Sequence, residues 1–272
     1  MNSKRNNLLA VPYYLWIVLF VFAPLALLLY QSFFDIQGNF TLNNYVNFFT
    51  SRNYLQMTAS SFWYAFLVTL VTFVFAYPMA YFLTQTKYKR LWLMLIILPT
   101  WINLLLKTYA FIGLLGQTGP INEWLMSMGI GPVQLLFTDA SFLLVAAYIE
   151  LPFMMLPIFN SIDEIPSSLM EASKDLGATQ LETVRRVVFP LSMRGIRSGV
   201  QAVFIPSLSL FMLTRLIGGN RVITLGTAVE QHFLVTQNWG MGSTIGVILM
   251  ISMVLVMFLT RDRKDKGALI NE

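Results

Sequence analysis

The chain has 272 residues, of which 56% are hydrophobic and 11% are charged, with a mean hydropathy of +0.65 and a net charge of +5. A soluble domain carries about 25% charged residues, so this composition excludes one water-soluble globule and indicates a chain embedded largely in lipid. The absence of cysteine excludes disulfides, thiolate chemistry and cysteine metal sites. The single histidine, His232, has no second histidine or cysteine with which to bind a metal.

Six apolar stretches are long enough, at about 20 residues each, to cross a bilayer as helices. In chain order they are residues 8–30, 60–83, 91–115, 141–160, 196–217 and 240–260. The first is longer than the core of a signal peptide and no clean cleavage site follows it, so we expect a retained anchor helix. The sequence therefore predicts an all-α integral membrane protein with six transmembrane helices.

Basic residues are distributed unevenly among the segments that join these helices. Fourteen of the 18 lysines and arginines lie in the N-terminal tail, the link after the second helix, the stretch 170–197 and the C-terminal tail. The three alternating segments hold only Arg52 and Arg221, while Lys107 and Arg215 lie within or near the ends of helices. Because cytoplasmic segments are rich in lysine and arginine, both termini and the stretch 170–196 are predicted to be cytoplasmic.

That stretch reads MEASKDLGATQLETVRRVVFPLSMRGI and is polar between two apolar segments. Two capping-box patterns occur in it, a hydroxyl three residues before a glutamate: Ser168 with Glu171, and Thr179 with Glu182. Gly177 lies between them, as is typical of a left-handed helix stop. The pattern predicts two short helices, 169–176 and 180–188, joined by a tight turn at 177–178, the second ended by the proline at position 190.

Each short helix has one apolar stripe at helical spacing. The stripes are Leu169, Ala172, Ser173 and Leu176 in the first helix, and Leu181, Val184, Val187 and Val188 in the second. One interpretation is an amphipathic pair that lies on the bilayer, attracted by anionic lipid. The other is a docking surface for a cytoplasmic protein, whose backbone can approach the small residues around the turn.

The spacing EAS-x3-G-x9-V-x-FP, which starts at Glu171, resembles the EAA motif of ABC importer permeases. In that family the motif forms cytoplasmic coupling helices that sit in a cleft of the ATPase subunit. Ser173, Val187 and Phe189 depart from the usual Ala, Ile and Leu, and RGI at 194–196 replaces a frequent Pro-Gly-Ile. The resemblance implies that the ATPase docks on Glu171, Ala172, Ser173, Asp175, Leu176, Gly177, Ala178 and Pro190.

Three further segments, PTWIN at 99–103, LPFM at 151–154 and LIGGN at 216–220, resemble the B-type permease of spermidine/putrescine importers. The resemblance implies the type I importer permease fold: an N-terminal segment of residues 1–57, a five-helix core 58–260 with a coupling elbow at 163–195, and a tail 261–272. It implies a bacterial plasma membrane location and three partners: a second permease subunit, an ATPase dimer and an extracytoplasmic polyamine-binding protein. No nucleic acid partner is expected.

The chain lacks the GxxxxGK[ST] phosphate loop, so any ATP hydrolysis belongs to another polypeptide. We therefore expect a non-catalytic permease subunit that binds no cofactor itself, with ATP and Mg on the partner ATPase. Alternatives are an ABC permease for another organic cation, an amino acid or iron, and an ion-coupled secondary transporter. A secondary transporter would need paired broken helices or inverted repeats, which the sequence does not display. A membrane enzyme is disfavoured by the lack of an acid–base cluster.

A polyamine path should offer carboxylates and aromatic faces, because both attract cations. Glu150 is the clearest candidate, since a charged group inside a span should face protein or a water-filled cavity. Pro152 and Pro157 argue against a continuous straight helix around it and free backbone carbonyls. Glu150 is expected either to line the path or to pair with Lys107, Arg215 or the partner permease.

The remaining path candidates are aromatic or basic. Trp101, Tyr109, Tyr148 and Phe153 are expected to supply aromatic faces or to pack in the core. Lys107 and Arg215 would repel a polyamine if both faced the path, and Arg215 is expected alternatively to extend to the outer surface. On the outside, Glu230 and Trp239 are candidates for contact with the binding protein.

Overall fold

The computed structural model describes residues 11–219 and 221–260. The basic residues of both tails and Asn220 lie outside the described residues, as do the first three residues of the predicted 8–30 helix. In the described residues the chain is helical, and one isolated antiparallel bridge joins Phe34 and Phe40. The helices are α1 (Val11–Gln31), α2 (Asn43–Thr50), α3 (Arg52–Thr84), α4 (Lys89–Ile97), α5 (Leu104–Leu115), α6 (Pro120–Ser127), α7 (Asp139–Asp163), α8 (Ser167–Asp175), α9 (180–191), α10 (Met193–Ser207), α11 (Phe211–Leu216), α12 (Leu225–Glu230) and α13 (Trp239–Thr260).

Four described helices are long and apolar enough to cross a bilayer: α1, α3, α7 and α13. A fifth span is present if the segments Lys89–Trp101 and Leu104–Ser127, which meet at a 94° bend, count as one broken element. The expectation of a continuous helix over 91–115 is therefore wrong. The chain passes through a 3₁₀ turn at Leu98–Trp101 and becomes extended at Ile102. The Asn103 side chain then accepts a hydrogen bond from the Leu105 N–H at 2.8 Å and starts α5 as a new helix.

The predicted helix over 196–217 is also interrupted. It divides into α10 and α11, which are separated by a turn in which Ser209 N–H donates to the Pro206 carbonyl at 3.0 Å. Pro206 lies in the last turn of α10, and the helix ends there in tight turns, since the Leu208 and Ser209 N–H groups donate to the carbonyls three residues earlier. In contrast, α7 runs unbroken through Pro152 and Pro157, so the expectation of a discontinuity there is wrong.

The main core is formed where α3, α7 and α10 pack on one another. Its fully buried side chains include Val68 on α3, Met155 on α7 and Val203 on α10. Gly195 and Gly199 lie one turn apart on α10 and let it approach the backbone of α7. A Cβ on Gly199 would lie 2.8 Å from the Met154 carbonyl oxygen, and one on Gly195 would clash with the Pro157 carbonyl. Small residues four apart commonly produce such close helix contacts in membranes.

A second, smaller core joins α12 and α13 to α3. Phe48, Leu208, Leu225 and Ile245 are its largest buried members. The first helix, α1, lies along α13, and its most apolar window has no residue buried within the chain. In a bilayer, α1 is therefore covered by lipid or by another subunit.

Candidate functional site: a helical elbow and a transmembrane path

The elbow, residues 163–195, is built from α8 and α9 with a left-handed turn between them. Gly177 has φ +81°, a conformation that favours glycine. Its N–H donates to the Lys174 carbonyl at 2.8 Å, and the Ala178 N–H donates to the Ser173 carbonyl at 3.1 Å. These two bonds define a Schellman motif, and they confirm the predicted turn at 177–178.

One of the two predicted capping boxes is present. The Thr179 N–H donates to the Glu182 carboxylate at 2.9 Å, and the Glu182 N–H donates to the Thr179 hydroxyl at 3.3 Å. Hydrogen bonds from the Thr179 N–H and hydroxyl lower the pKa of Glu182 below its ordinary value. The box at Ser168 and Glu171 is wrong, because Pro166 occupies the N-cap position and makes Ser168 the second residue of α8.

The second elbow helix continues past its expected end. It widens into a π-helical turn at Val184–Val188, where the Phe189 N–H donates to the Val184 carbonyl. The helix then runs through Pro190 to Leu191, so the prediction that Pro190 ends it is wrong. The π-turn displaces the hydrogen-bond register just before the residue that has no N–H. Ser192 alone separates this helix from α10.

The inner side of the elbow is fastened to the body of the protein. Val188 is fully buried, and Met170 and Val184 pack against the main core. Ser173 and Thr183 join the two elbow helices through their hydroxyls at 3.0 Å. Tyr77 on α3 adds a ring contact to Phe189, with centroids 5.6 Å apart, and its hydroxyl lies 3.4 Å from that of Ser192. These contacts attach the elbow to the main core.

The outer side of the elbow is open. Leu176 and Leu181, which flank the turn, are 90% and 77% exposed. A Cβ built on Gly177 meets no atom within 4 Å. The predicted docking residues Glu171, Ala172, Asp175 and Pro190 are also exposed, whereas Ser173 and Ala178 are half-buried. Two protruding leucines beside an open glycine form a surface suited to another protein.

Within the candidate path, Glu150 is 5% exposed. Among the described residues it makes no hydrogen bond and no ion pair, so the expected alternative of a pair with Lys107 on α5 is not observed. Tyr148, two residues earlier, packs its ring edge to face with Phe111 of α5, at 5.1 Å between centroids. The Tyr148–Phe111 contact lies where α5 meets α7, whereas Glu150, two residues after Tyr148, projects from a different side of α7.

The other path candidates are exposed or are paired with other residues. The Arg215 guanidinium is 2.8 Å from the Glu230 carboxylate, which excludes the alternative that Arg215 pairs with Glu150. That ion pair borders a cavity of about 230 Å³ lined by Arg215, Thr227, Glu230, Gln231 and Val235. Trp101, Tyr109 and Phe153 are 80%, 58% and 47% exposed, and the described residues provide no ring contact for any of them. The candidate Trp239 packs on Phe233, with centroids 5.4 Å apart.

Several site features were not predicted from the sequence. One is the close packing at Gly195 and Gly199, which the spacing of two glycines four residues apart could have indicated. The contacts of Tyr77 and the ion pair between Lys89 and Asp163, which links α4 to the beginning of the elbow, depend on segments far apart in the chain. No local pattern signals them.

The chain is similar over nearly its whole length to named transport proteins. It is 33% identical over 269 residues to the spermidine/putrescine transport system permease protein PotB of Haemophilus influenzae, covering 95% of this chain and 94% of the relative. It is 34% identical over 254 residues to PotB of Escherichia coli K12, covering 90% and 92%. The chain belongs to the spermidine/putrescine transport system permease family. No model of a known protein family matches it.

Family membership confirms a non-catalytic permease subunit, a multi-pass protein of the inner membrane. A solved structure supports the fold. A chain of the bacterial alginate ABC transporter, in complex with an alginate pentasaccharide-bound periplasmic protein, superposes with a TM-score of 0.80 at 16% identity. The match covers 95% of this chain and 94% of that one. The all-helical importer permease fold is thereby confirmed.

Proposed function

We propose that this chain is a membrane subunit of an ATP-driven polyamine importer and that the elbow is its ATPase-docking element. The observation that carries the proposal is that the elbow is buried on one side and exposed on the other. Its inner side is fastened to the core through Val188 and Tyr77, while its outer side exposes Leu176 and Leu181 around Gly177. Such an element transmits a push from a partner to α3, α7 and α10.

The proposed cycle follows from this attachment. ATP and Mg bind to a separate ATPase dimer, whose closure moves the elbow as a rigid lever. The main core then rocks from an inward-open to an outward-open state, and an extracytoplasmic binding protein releases cargo into the path. A second permease subunit completes the path. ATP hydrolysis resets the cycle.

The same proposal includes the arrangement in the membrane. We place both termini and the elbow in the cytoplasm, because the basic residues concentrate there. The six crossings are then α1, α3, the broken α4–α5 element, α7, the broken α10–α11 element and α13. The division into residues 1–57, 58–260 and 261–272 follows this arrangement.

Polyamine as the cargo is supported by the names of the relatives and by the chemistry of the path. The H. influenzae and E. coli relatives are spermidine/putrescine permeases. Glu150 places a buried carboxylate in α7, and the aromatic ring of Tyr148 belongs to the same helix; carboxylates and aromatic faces both attract ammonium groups. In the proposed path Trp101, Tyr109 and Phe153 supply further aromatic faces, and Arg215, neutralised by Glu230, adds little repulsion.

The proposed cargo is tested by uptake into proteoliposomes that contain this chain with its partner permease, ATPase and binding protein from the same cell. Labelled spermidine or putrescine should accumulate only when ATP is present at the ATPase. Coupled ATPase activity without polyamine uptake would keep the permease role and discard the cargo in favour of another organic cation, an amino acid or iron. Uptake that survives inhibition of ATP hydrolysis would instead favour an ion-coupled transporter.

The elbow assignment is tested by Gly177→Asp. The substitution places a charged side chain in the proposed contact, so the purified complex should lose ATPase subunits while this chain still inserts into the membrane. Gly38→Asp is a matched control, because Gly38 also has a positive φ, +84°, and open space around its Cβ, but lies in the loop between α1 and α2. Loss of the ATPase from both variants, or from neither, would contradict the assignment.

A further inference from the structure

An apolar groove runs between three helices of the membrane region, α3, α10 and α13. Four phenylalanines and several aliphatic side chains form its walls, and it encloses about 430 Å³. At the end away from the elbow, Phe62 of α3 contacts Phe204 of α10, with ring centroids 6.2 Å apart. Leu259 of α13 lies at the edge of the groove and is 76% exposed. The groove is therefore open to its surroundings, and in a bilayer it needs an apolar occupant.

The dimensions of the groove indicate what that occupant is. Along α3 the groove extends from Phe62 to Phe73, which is about 16 Å at the rise of about 1.5 Å per residue. A volume of about 430 Å³ over that length gives a mean cross-section of about 26 Å², whereas a helix about 10 Å across needs about 80 Å². The groove is too narrow for a helix of another subunit and has the shape of a single hydrocarbon chain.

The end of the groove nearest the elbow is polar. Phe73 lies one turn before Tyr77, the residue of α3 that contacts the elbow. On the elbow side of Phe204, the side-chain amide of Gln201 donates a hydrogen bond to the Thr260 hydroxyl of α13 at 2.6 Å, and both residues line the groove. The walls thus change from apolar side chains to hydrogen-bonding groups in the direction of the elbow.

Two arginines continue this face of α10 beyond the groove. Arg197 lies one turn and Arg194 two turns before Gln201, so the three residues share one side of the helix. Both arginines are exposed, and none of the ion pairs among the described residues involves Arg194. Three of the four residues that follow Thr260 in the sequence are also basic. The guanidinium group presents a planar fork of N–H donors that matches a phosphate.

We propose that the groove binds an anionic phospholipid, with one acyl chain between α3, α10 and α13 and the phosphate held by Arg194 and Arg197. A positive cluster at the end of an apolar groove between membrane helices is complementary to such a lipid, and less so to one whose headgroup carries no net charge. Ser192 alone separates α10 from the elbow, so the bound headgroup holds the elbow end of α10 at the bilayer surface. The inference concerns lipid and goes beyond the proposed function.

The test measures the phospholipid that remains with the purified importer. The complex is reconstituted in nanodiscs of equal parts phosphatidylglycerol and phosphatidylcholine, extracted into mild detergent, and its bound lipids are quantified by mass spectrometry. Wild type should retain several-fold more phosphatidylglycerol than phosphatidylcholine. Replacing both Arg194→Gln and Arg197→Gln should abolish that preference. Val256→Trp places a bulky ring in the groove and should lower the retention of both lipids.

Each variant has a matched control. Lys87→Gln together with Arg90→Gln removes two positive charges from exposed residues at the start of α4. Val254→Trp adds the same ring to a position of α13 that is 42% exposed and does not line the groove. Both controls should retain the two lipids as wild type does.

Three outcomes would overturn the inference. Equal retention of the two lipids by wild type would mean an adventitious lipid only, and an unchanged preference in the double arginine variant would remove the phosphate site. Loss of the second permease subunit from Val256→Trp, with lipid retention unchanged, would show that a protein fills the groove. If Val256→Trp does not fold, the arginine variant decides. Retention is measured without polyamine or ATP, so failure of polyamine uptake would refute the proposed cargo and leave this inference standing.

Discussion

At the residue scale, the start of α9 depends on a reciprocal pair of hydrogen bonds. Thr179 and Glu182 each accept a bond from the other's backbone N–H, so two free amides at the helix start are satisfied. The same bonds lower the pKa of Glu182, whose ordinary value is 4.5. A carboxylate with a depressed folded pKa contributes stability above its unfolded pKa and loses it as the pH falls through the folded one.

We predict that Glu182→Ala accelerates amide hydrogen exchange at residues 179–183, because the Thr179 amide loses its acceptor. In wild type the same protection should fall with pH below about 4.5, after correction for intrinsic exchange rates. Glu182→Gln is the control, since glutamine also forms a capping box but does not titrate. Equal protection in all three proteins at neutral pH would show that the box contributes nothing to the elbow.

His232, in the segment after α12, is a second group whose pKa is shifted. Its Nε2 lies 2.9 Å from the Tyr54 hydroxyl and its Nδ1 lies 3.2 Å from the Thr236 hydroxyl. Burial lowers the pKa of His232 below its ordinary value of 6.5. The neutral ring is therefore the form that suits the folded state. The stability that it contributes is present above the unfolded pKa and is lost as the pH falls below it.

We predict that the thermal midpoint of the purified chain in detergent decreases between about pH 7.5 and pH 5.5, and that His232→Gln flattens this decrease. The chain has one histidine, so the difference between the two proteins assigns the effect to a single group. If the midpoint of the variant decreases with pH as steeply as that of wild type, the pH dependence belongs to another group. A steeper decrease on the alkaline side would contradict the sign of the pKa shift.

At the element scale, α10 packs closely on α7 through two glycines. Gly199→Leu should lower the free energy of unfolding by about 1–3 kcal/mol or more, because the new side chain meets the backbone of Met154 and has no space to enter. Gly113→Leu is the matched control, since a Cβ at Gly113 in α5 meets no atom within 4 Å. Thermal unfolding in detergent compares the two variants. Equal midpoints would mean that the glycine contact does not determine the packing.

Hydropathy located the straight spans well and the broken ones poorly. The expected 141–160 and 240–260 lie within α7 and α13, because long apolar runs there coincide with single helices. Apolar side chains continue across the breaks at Ile102 and Leu208, so composition does not detect them. The local signals were an asparagine that caps α5 and a proline near the end of α10. A proline does not by itself predict the end of a helix, since α7 contains two.

The sequence predicted those features of the candidate site that depend on neighbouring residues, and not those that depend on how distant helices pack. Gly177 and the Thr179 cap act through neighbours in sequence, and both are present as expected. The pairing of Arg215 with Glu230 depends on how α11 meets α12, which no spacing rule fixes. The absence of an ion pair between Glu150 and any other described residue is likewise a property of the packed helices.

At the scale of the whole molecule, the elbow and the membrane helices form one mechanical path. Lys89 ties α4 to Asp163 at the end of α7, and Tyr77 ties α3 to the end of α9. The ion pair is partly exposed, so it contributes little to stability, about 0–1 kcal/mol. Its importance is its position, because it joins the broken α4–α5 element to the region that a docked ATPase would push.

The arrangement across the membrane gives the last prediction. The chain has no cysteine, so each introduced cysteine is the only thiol. Leu176 in the elbow and Leu234 after α12 are 90% and 72% exposed. In intact spheroplasts a membrane-impermeant maleimide should label Leu234→Cys, while Leu176→Cys should react only in inside-out vesicles and should be shielded there by the ATPase.

One crossing, α10–α11, separates these two positions, and it is a broken element that no length criterion identifies as a span. Labelling from opposite sides would show that it crosses the membrane, and would fix the elbow and the segment after α12 on different faces. Labelling from the same side would mean that α10–α11 returns to the face from which it entered. The number of crossings would then be five, the elbow and α12 would share one compartment, and a binding protein and an ATPase could not dock on them from opposite sides.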